Sequence, residues 1–417
     1  MSRAGASRVL IFARELLPYS QTFIREQALA LRRWQPTLAG LTRVDGVDPA
    51  PLPCLLLARE RGEGVRSGAS GARGVPGFLG APDALGAMVR EWLWLADPLS
   101  LRRVRAGGYA LMHAHFGPGA VWLWPLARRL RLPLLVTLHG YDISVKPQWW
   151  QSGAGGLINR RYPARLRTLG RRGVRFLAVS EGIRARAIEY GLPPERLRVH
   201  YIGVDTARFC MRGAPLALRR RRIVFIGRLV EKKGCTYLLQ AFARLRASLP
   251  DVELAIIGDG SLRGPLQQQA QALGVQPQFL GALSHEAVRA QLDRARVVCV
   301  PSVQADNGDS EGLPILILEA AAMGVPVITS ARLAPGEGVL DGHTGFLCPE
   351  GAPDALAQRL HAVLVDDDLA TAMSAAATAL VRERYELSQC TRRLEAIYDE
   401  MVGEVLEPAG RAAAQSM

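Results

Sequence analysis

Short apolar runs alternate with longer helical patterns along most of this chain. In the second half, the runs Arg222–Gly227, Glu253–Gly258 and Val297–Val300 are each followed by a stretch in which apolar positions recur with a helical period. Strands of a parallel sheet covered on both faces are typically apolar throughout, and helices connect them. The pattern therefore predicts a doubly wound α/β domain in the second half.

The first half repeats this alternation less regularly. Apolar runs at Arg8–Phe12, Leu134–Leu138 and Phe176–Val179 are each close to a helical pattern, which predicts a second α/β domain. In such sheets, ligands bind beyond the carboxyl ends of the strands, so the loops there are expected to carry the chemistry. We predict an N-terminal Rossmann-like domain at 1–205, a C-terminal one at 206–386, a helix at 387–402 that packs back on the first domain, and a disordered tail at 403–417.

Composition narrows the class of protein only in part. The formal charge is +14, and anionic membranes and nucleic acids are the usual partners of such a charge. Only three of the 52 basic residues are lysines, and the arginines look dispersed along the chain. The net positive charge is therefore explained either by compositional drift toward arginine or by attraction to an anionic membrane surface. No nucleic-acid-binding module is evident. No secretory signal and no apolar stretch of membrane-spanning length is found, so we expect a cytoplasmic protein, with the inner membrane face as a site of peripheral association.

The loop Gly227–Gly234 is the first candidate binding segment. It follows a strand, precedes a helix, and contains Arg228, Lys232 and Lys233. Cations and free amides in such a loop suit a diphosphate. The alternative is a solvated basic loop, although the rarity of lysine in this chain argues against arginine drift at this position. The glycine turn Gly258–Gly260 after the next strand is either a close approach to a ligand or only a turn.

Two glutamates follow the strand at Val297–Val300. Pro314 suits the first turn of a helix, which places Glu311 just before that helix and Glu319 within it. Free amides at the helix start, among them those of Leu313 and Ile315, are suited to a phosphate. The carboxylates are suited to sugar or ribose hydroxyls. From the residues alone, a buried helix that contains one glutamate is the competing interpretation.

Histidines dominate the candidates in the first half. His139 follows the strand Leu134–Leu138 and begins the sequence His-Gly-Tyr-Asp142. This position suits a substrate contact, although a lone histidine is often structural. His113 and His115 alternate along a strand and share one face, but no third metal ligand is evident, and we predict no metal site.

Taken in order, these segments resemble the retaining glycosyltransferases of family 4, which have the GT-B fold. The stretches 20–26, 113–117, 139–142 and 308–314 are similar to the colanic-acid and exopolysaccharide branch of that family. The resemblance covers most of the chain. It is carried in the second half by Gly227–Arg228, Lys233–Gly234, Gly258–Gly260, Pro301–Ser302, Glu311 with Glu319, and Gly324–Pro326.

The resemblance implies a fold, a reaction and residue roles. Two Rossmann-like domains would face each other across a cleft, and no metal or other cofactor would be needed. Arg228 and Lys233 would hold the diphosphate of a nucleotide-sugar donor. Glu311 and His139 would contact the transferred sugar, and Glu319 would bind the ribose. The other implied donor-binding residues are Gly227, Gly258, Gly260, Ser302, Gly312, Leu313 and Ile315.

The acceptor side is less well defined. The resemblance implies a glycan or polyprenyl-linked saccharide as the acceptor, and Ser20, Thr22 and Asp142 are the candidate residues. A double-glycine loop that many family members carry is replaced here by 14–20. Gly-Leu-Pro follows Glu311 where many members have Pro-Phe-Gly. The alternatives to transfer are a sugar-nucleotide epimerase of the same fold and a binding protein without catalytic activity.

Overall fold

The computed structural model describes residues 6–18, 21–44, 46–57, 98–332, 334 and 336–414, with Ile158 and 405–414 by their backbone alone. These residues form two compact units. Unit 1 comprises the described residues up to Ile202 together with those from Ser388 onward. Unit 2 comprises Gly203–Leu387. The candidate residue Ser20 lies outside the described residues.

Unit 1 is built on a parallel sheet. Among the described residues, seven strands pair in the order β5-β3-β1-β6-β7-β8-β9, and a short parallel pair, β2 and β4, lies apart from this sheet. The strands are β1 Arg8–Phe12, β2 Glu15–Leu16, β3 Gln35–Gly40, β4 Thr42–Arg43, β5 Cys54–Leu56, β6 Tyr109–His115, β7 Leu134–Leu138, β8 Arg175–Ala178 and β9 Leu197–Val199.

Helices cover both faces of this sheet. Because side chains alternate along a strand, Leu111, Leu135 and Leu177 share one face, where they pack in a core with residues of α1 and α14. α3, α6 and α7 belong to the layer on the other face, since α3 packs on β6 and β7 and also contacts α6. The helices are α1 Thr22–Ala30, α2 Pro98–Ala106, α3 Gly117–Leu130, α4 Tyr141–Ser144, α5 Pro147–Ser152, α6 Tyr162–Arg171, α7 Glu181–Glu189 and α14 Leu387–Ala414.

The last helix is fixed to unit 1 by apolar and polar contacts. Leu394 and Tyr398 are fully buried in the core with α1. The buried carboxylate of Glu395 accepts hydrogen bonds from the backbone amides of Arg32 and Arg33, at 2.7 and 2.6 Å. The helix continues to Ala414, so its backbone is helical well into the segment 403–417 for which the sequence predicts a tail. The alanine-rich end of that segment favours helix.

Unit 2 contains a second parallel sheet. Its six described strands pair in the order β12-β11-β10-β13-β14-β15. Their continuous apolar sequences are explained by burial on both faces. The edge strand β15 was not predicted, because its three residues are too few to give a pattern. The strands are β10 Arg222–Ile226, β11 Glu253–Ile257, β12 Gln278–Gly281, β13 Val297–Val300, β14 Val327–Thr329 and β15 Gly345–Leu347.

The helices of unit 2 alternate with these strands. α8 packs on α9 and α12, and α11 packs on α13. Cores of leucine, isoleucine and phenylalanine fill the space between the helices and the sheet. The helices are α8 Cys235–Ser248, α9 Arg263–Ala272, α10 His285–Leu292, α11 Ile315–Ala322, α12 Pro353–Val365 and α13 Asp367–Arg384.

Candidate active site

The candidate segments of unit 2 meet at one edge of its sheet. Gly227 follows β10, Gly258 follows β11 and Pro301 follows β13, and these three strands are neighbours. Their carboxyl ends therefore bring the three loops together, where ligands bind in doubly wound sheets.

Glycines allow these loops to pack backbone against backbone. Gly258 has a φ of +127°, and a Cβ atom there would lie 2.0 Å from the carbonyl oxygen of Gly227. Gly234 has a φ of +64°, and its Cβ would lie 1.7 Å from the carbonyl oxygen of Pro301. A side chain at Gly260 would meet the carbonyl oxygen of Leu229 at 2.4 Å. The backbone of the neighbouring loops therefore fills the space beside these glycines.

Two lysines and two carboxylates form the centre of the site. Lys233 Nζ lies 3.1 Å from Glu311 Oε2. Lys232 is only 8% exposed, and its Nζ lies 3.0 Å from Asp309 Oδ1 and 3.4 Å from Glu311 Oε1. Glu311 therefore lies between two ammonium groups.

This arrangement keeps Glu311 ionised. Burial by itself raises the pKa of Glu311, but the charges of Lys233 and Lys232 outweigh it and bring the pKa down to about 2. At Asp309, burial prevails and raises the pKa, although Lys232 and Arg228 oppose it. Arg228 is exposed and lies close enough to act on that carboxylate electrostatically.

Sequence reasoning gave a role to Lys233 and none to Lys232 or Asp309. The structure shows Lys232 as the buried member of the pair, and its carbonyl oxygen also accepts a hydrogen bond from the amide of Val303 at 2.9 Å. The signal that could have identified it is the adjacency of two lysines in a chain that has only three.

Glu319 stands apart from this cluster. It lies in α11, and no ion pair or hydrogen bond joins it to the lysines or Glu311 within the described part of the chain. Burial raises the pKa of Glu319 to about 7, and the charge of Arg208 opposes that shift. The carboxylate is thus easily protonated, unlike that of Glu311.

The backbone before α11 presents unused donors. The amides of Gly312, Leu313 and Ile315 donate to no acceptor among the described residues, as is usual for the first turn of a helix. Ser302 is 2% exposed, and its hydroxyl has no hydrogen-bond partner in the described part of the structure. These groups can serve as donors to an anionic ligand.

His139 lies in an aromatic and histidine-rich environment in unit 1. Its Nε2 is 3.0 Å from His115 Nδ1, and its ring lies 5.0 Å from that of Phe23 and 4.4 Å from that of Phe116. Burial, with a smaller contribution from His115, holds the pKa of His139 well below its usual value. The imidazole is therefore neutral at physiological pH.

Asp142 positions the loop that carries His139. Its carboxylate is fully buried and accepts hydrogen bonds from the amides of His139, Gly140 and Gly117, at 3.0, 2.9 and 2.9 Å. The acceptor contact predicted for Asp142 is therefore not available to this carboxylate as it lies here. Thr22 is the first residue of α1 and is half-buried.

The paired histidines of β6 are part of the same centre. His113 uses both ring nitrogens: Nδ1 lies 2.7 Å from the Tyr398 hydroxyl and Nε2 lies 2.7 Å from Thr137 Oγ1. Within the described residues, no group of three or more histidine, cysteine or acidic side chains is arranged to hold a metal. Hydrogen bonds rather than a metal therefore explain His113.

Comparisons with known proteins agree with this architecture. Residues 211–380 match the family described as "Glycosyl transferases group 1", and residues 53–208 match "Glycosyltransferase Family 4". A crystal structure of Anabaena HepE in complex with UDP and glucose superposes with a TM-score of 0.72 at 18% identity, over 94% of this chain and 100% of that one. The fold is therefore GT-B, with two Rossmann-like domains.

Sequence relatives define the family. A GDP-mannose-dependent phosphatidylinositol monomannoside mannosyltransferase of Mycolicibacterium smegmatis is 32% identical over 302 residues, which are 68% of this chain and 76% of that protein. WcaL of Escherichia coli K12, named for colanic acid biosynthesis, is 34% identical over 62% of each chain. The WcaL protein of Salmonella typhimurium is matched over 59% of its length, so less than two thirds of either WcaL protein is spanned. This chain belongs to glycosyltransferase family 4.

The helices were also compared with the requirements of a bilayer. In the described part of the chain, none combines the length and the apolar character that a membrane span needs.

Proposed function

We propose that this protein is a retaining glycosyltransferase that moves a sugar from a nucleotide sugar to a growing exopolysaccharide or surface glycan, with a lipid-linked saccharide as the acceptor. The observation that carries the proposal is the contact between Lys233 and Glu311 at 3.1 Å. In a nucleotide sugar, the diphosphate is bonded directly to the sugar. A cation suited to phosphate and a carboxylate suited to hydroxyls should therefore be neighbours, as these are.

The buried Lys232 provides a second positive charge for Glu311. When the Lys233 ammonium turns to a diphosphate, Lys232 still lies 3.4 Å from Glu311 Oε1 and keeps that carboxylate balanced and ionised. Glu311 can then accept hydrogen bonds from sugar hydroxyls without the cost of an unpaired buried charge. Asp309 holds Lys232 in place from the other side.

Transfer breaks the bond between the anomeric carbon and the diphosphate, and negative charge develops on the leaving group. Lys233, Arg228 and the amides of Leu313 and Ile315 would stabilise that charge. These groups supply the electrostatic contribution that a metal makes in other enzymes, so we propose that no metal or other cofactor is needed. Neutral His139 would contact the transferred sugar, and Glu319 would bind the ribose.

Family membership supports this proposal, and the names of the relatives point to the substrates. HepE is described with UDP and with UDP-glucose, whereas the M. smegmatis mannosyltransferase is described as GDP-mannose-dependent. The donor nucleotide therefore has to be determined by titration. The WcaL proteins and the amylovoran glycosyltransferase of Erwinia amylovora are named for exopolysaccharide synthesis, which supports a polysaccharide product.

The test is calorimetric titration of the full chain in the presence of a chelator, against UDP, GDP, ADP and their common sugar conjugates. We expect one nucleotide to bind selectively and its affinity to fall in Glu319→Ala, while Arg294→Ala, an exposed arginine elsewhere in unit 2, binds normally. Failure of the folded protein to bind any of these nucleotides would overturn the proposal. Product analysis completes the test, since conversion of the donor without an acceptor would indicate an epimerase instead.

A further inference from the structure

The positive charge of this protein is concentrated in one segment, residues 98–180. This segment contains 14 of the 52 basic residues but only one of the 38 acidic residues, Asp142, which is buried. Its formal charge of +13 accounts for nearly all of the +14 of the whole chain. Arginines occur along the whole chain, but outside this segment acidic residues nearly balance them. Compositional drift toward arginine does not explain why carboxylates are missing here.

The helices of this segment lie on one face of unit 1, whereas Arg175, in β8, reaches α14 on the other. α2, α3 and α6 pack side by side, and the turn Leu157–Arg161 packs against α6. Twelve of the 14 basic residues are exposed. We call the outer side of these three helices and this turn the basic face.

The charges on α6 form a strip. Arg161, Arg165 and Arg172 are spaced by four and seven residues, so they lie on one side of the helix and its ends. All three are exposed, whereas Leu166 and Leu169 of the same helix are buried. None of these three arginines forms a salt bridge in the part of the chain that the structure describes.

The opposite layer of unit 1 shows the contrast. There Arg175 and Arg198 pair with Glu400 of α14, and Arg33 pairs with Asp399. Carboxylates thus neutralise the arginines on the side of α14, whereas α2, α3, α6 and the turn Leu157–Arg161 contain no acidic residue. The segment 58–97, which lies outside the described residues, has five basic and five acidic residues and so adds no net charge.

Two large side chains with apolar surface are also exposed in this segment. Leu157 is 60% exposed at the start of the turn before α6, and Tyr141 is 38% exposed. Tyr141 contacts the half-buried ring of Trp149, at 6.4 Å between centroids. Amphipathic aromatic rings next to cations are typical of surfaces that lie at a membrane interface.

We propose that the basic face docks unit 1 on an anionic phospholipid bilayer, with the arginines at the headgroups and Leu157 inserted between them. A broad face of exposed arginines, on helices that contain no acidic residue, complements a surface of distributed negative charge. An exposed leucine at its edge gains free energy when it enters the apolar part of a bilayer. The proposal concerns a surface separate from the Lys–Glu cluster; it suits the proposed lipid-linked acceptor but does not depend on transfer.

The test is co-sedimentation of the full chain with vesicles of phosphatidylcholine alone and with equimolar phosphatidylglycerol. The probe variant is Arg161→Gln/Arg165→Gln/Arg172→Gln. The control, Arg212→Gln/Arg246→Gln/Arg294→Gln, removes the same charge from exposed positions of unit 2. We expect the wild type to bind only the anionic vesicles, with partition at least about tenfold weaker in the probe variant than in the control. Leu157→Ser should bind the anionic vesicles more weakly than the wild type, most clearly at high salt, where the attraction between charges is screened.

Several outcomes would overturn the proposal. These are equal binding to neutral vesicles, equal loss in the probe and control variants, and wild-type partition in the probe variant. Tighter binding to duplex DNA or to an anionic polysaccharide than to the vesicles, lost in the probe variant, would assign the face to that polyanion instead. Nucleotide titration of the same variants separates this result from the transferase proposal, because we expect nucleotide affinity to be unchanged in the probe variant.

Discussion

The two units hold polar groups near their sheets in opposite electrostatic states. In unit 1, His113, His115 and His139 are held neutral, because burial lowers the pKa of each, that of His115 to about 3. In unit 2, Glu311 stays charged, because the amino groups of Lys233 and Lys232 lie 3.1 and 3.4 Å from its carboxylate. The same cost of burying charge is avoided by proton loss in one unit and by pairing in the other.

This difference matches the two kinds of partner that we propose. A paired set of charges is preorganised for a diphosphate, whose charge grows during transfer. Neutral imidazoles and aromatic rings suit the uncharged hydroxyls and rings of a sugar. The following predictions test the contrast between the charged site and the neutral one.

The largest effect is expected from removing one charge at the unit 2 site. Lys233→Ala should slow transfer by more than about tenfold and up to about a thousandfold, the usual cost of losing one preorganised electrostatic contact. Single-turnover kinetics with a saturating donor measure this step. Arg294→Ala is the control, and near-normal turnover of Lys233→Ala would remove the diphosphate role.

Acid should destabilise unit 1 first, because its buried histidines are neutral in the folded state. His115 and His200 have folded pKa values of about 3 and about 4, below the unfolded value of about 6.5. The unfolded chain therefore binds more protons below pH 6.5, and stability falls from there down to the folded pKa values. Each group contributes about 1.4 kcal/mol per pH unit in this window.

Unit 2 should respond at lower pH. The pKa of Glu311 is about 2 in the fold against a model-peptide value of 4.5, so its contribution to stability is lost only as pH falls below about 4.5. Calorimetric melting at pH 7.5 and 5.5 should show a transition of unit 1 that moves to lower temperature more than that of unit 2. Equal shifts, or a larger shift for unit 2, would contradict the contrast.

The third prediction concerns the loops that frame the charged site. Gly258→Ala should destabilise unit 2 by about 2 kcal/mol or more, because its Cβ would meet the Gly227 carbonyl oxygen at 2.0 Å and its φ is +127°. Gly264→Ala is the matched control: it lies in α9 with no atom near its Cβ, and helix propensity favours alanine there by about 1 kcal/mol. Urea unfolding measures both, and a similar free energy of unfolding for the two would exclude tight loop packing.

The smallest effect is expected at Glu319. Glu319→Ala should weaken nucleotide binding by about tenfold, the cost of hydrogen bonds to one charged group. Because burial raises the pKa of Glu319 to about 7, wild-type affinity should fall as pH drops below 7, when the carboxylate becomes protonated and loses acceptor capacity. Calorimetry at pH 6 and 8 checks this, and unchanged affinity in Glu319→Ala would remove the ribose role.

Much of the fold could be predicted from local sequence. The strands β10, β11 and β13 were predicted to within one residue, because short continuous apolar runs that end at glycine or proline have few other interpretations. The edge strand β15 and the extension of α14 were missed, because three residues give no period and alanine-rich ends give no boundary. The central strands could be predicted because burial on both faces makes their sequences apolar throughout.

The site was predictable as a set of loops but not as a network. Strand-to-helix position placed Lys233, Glu311 and the amides before α11 at one sheet edge. It could not show that Lys232 points inward to Asp309, or that the carboxylate of Asp142 accepts hydrogen bonds from three backbone amides. Such orientations depend on packing between segments far apart in the chain.

The sequence by itself determined the α/β class, the two repeats of that pattern, the family and the residue types at the site. Each of these follows from the periodicity of apolar residues or from the spacing of residues within short segments. Only the tertiary structure decided which buried groups are charged and where the basic segment lies on the surface. A pKa depends on the burial and the neighbours that folding creates. The basic face exists because three helices bring their exposed sides together while carboxylates gather on the other layer.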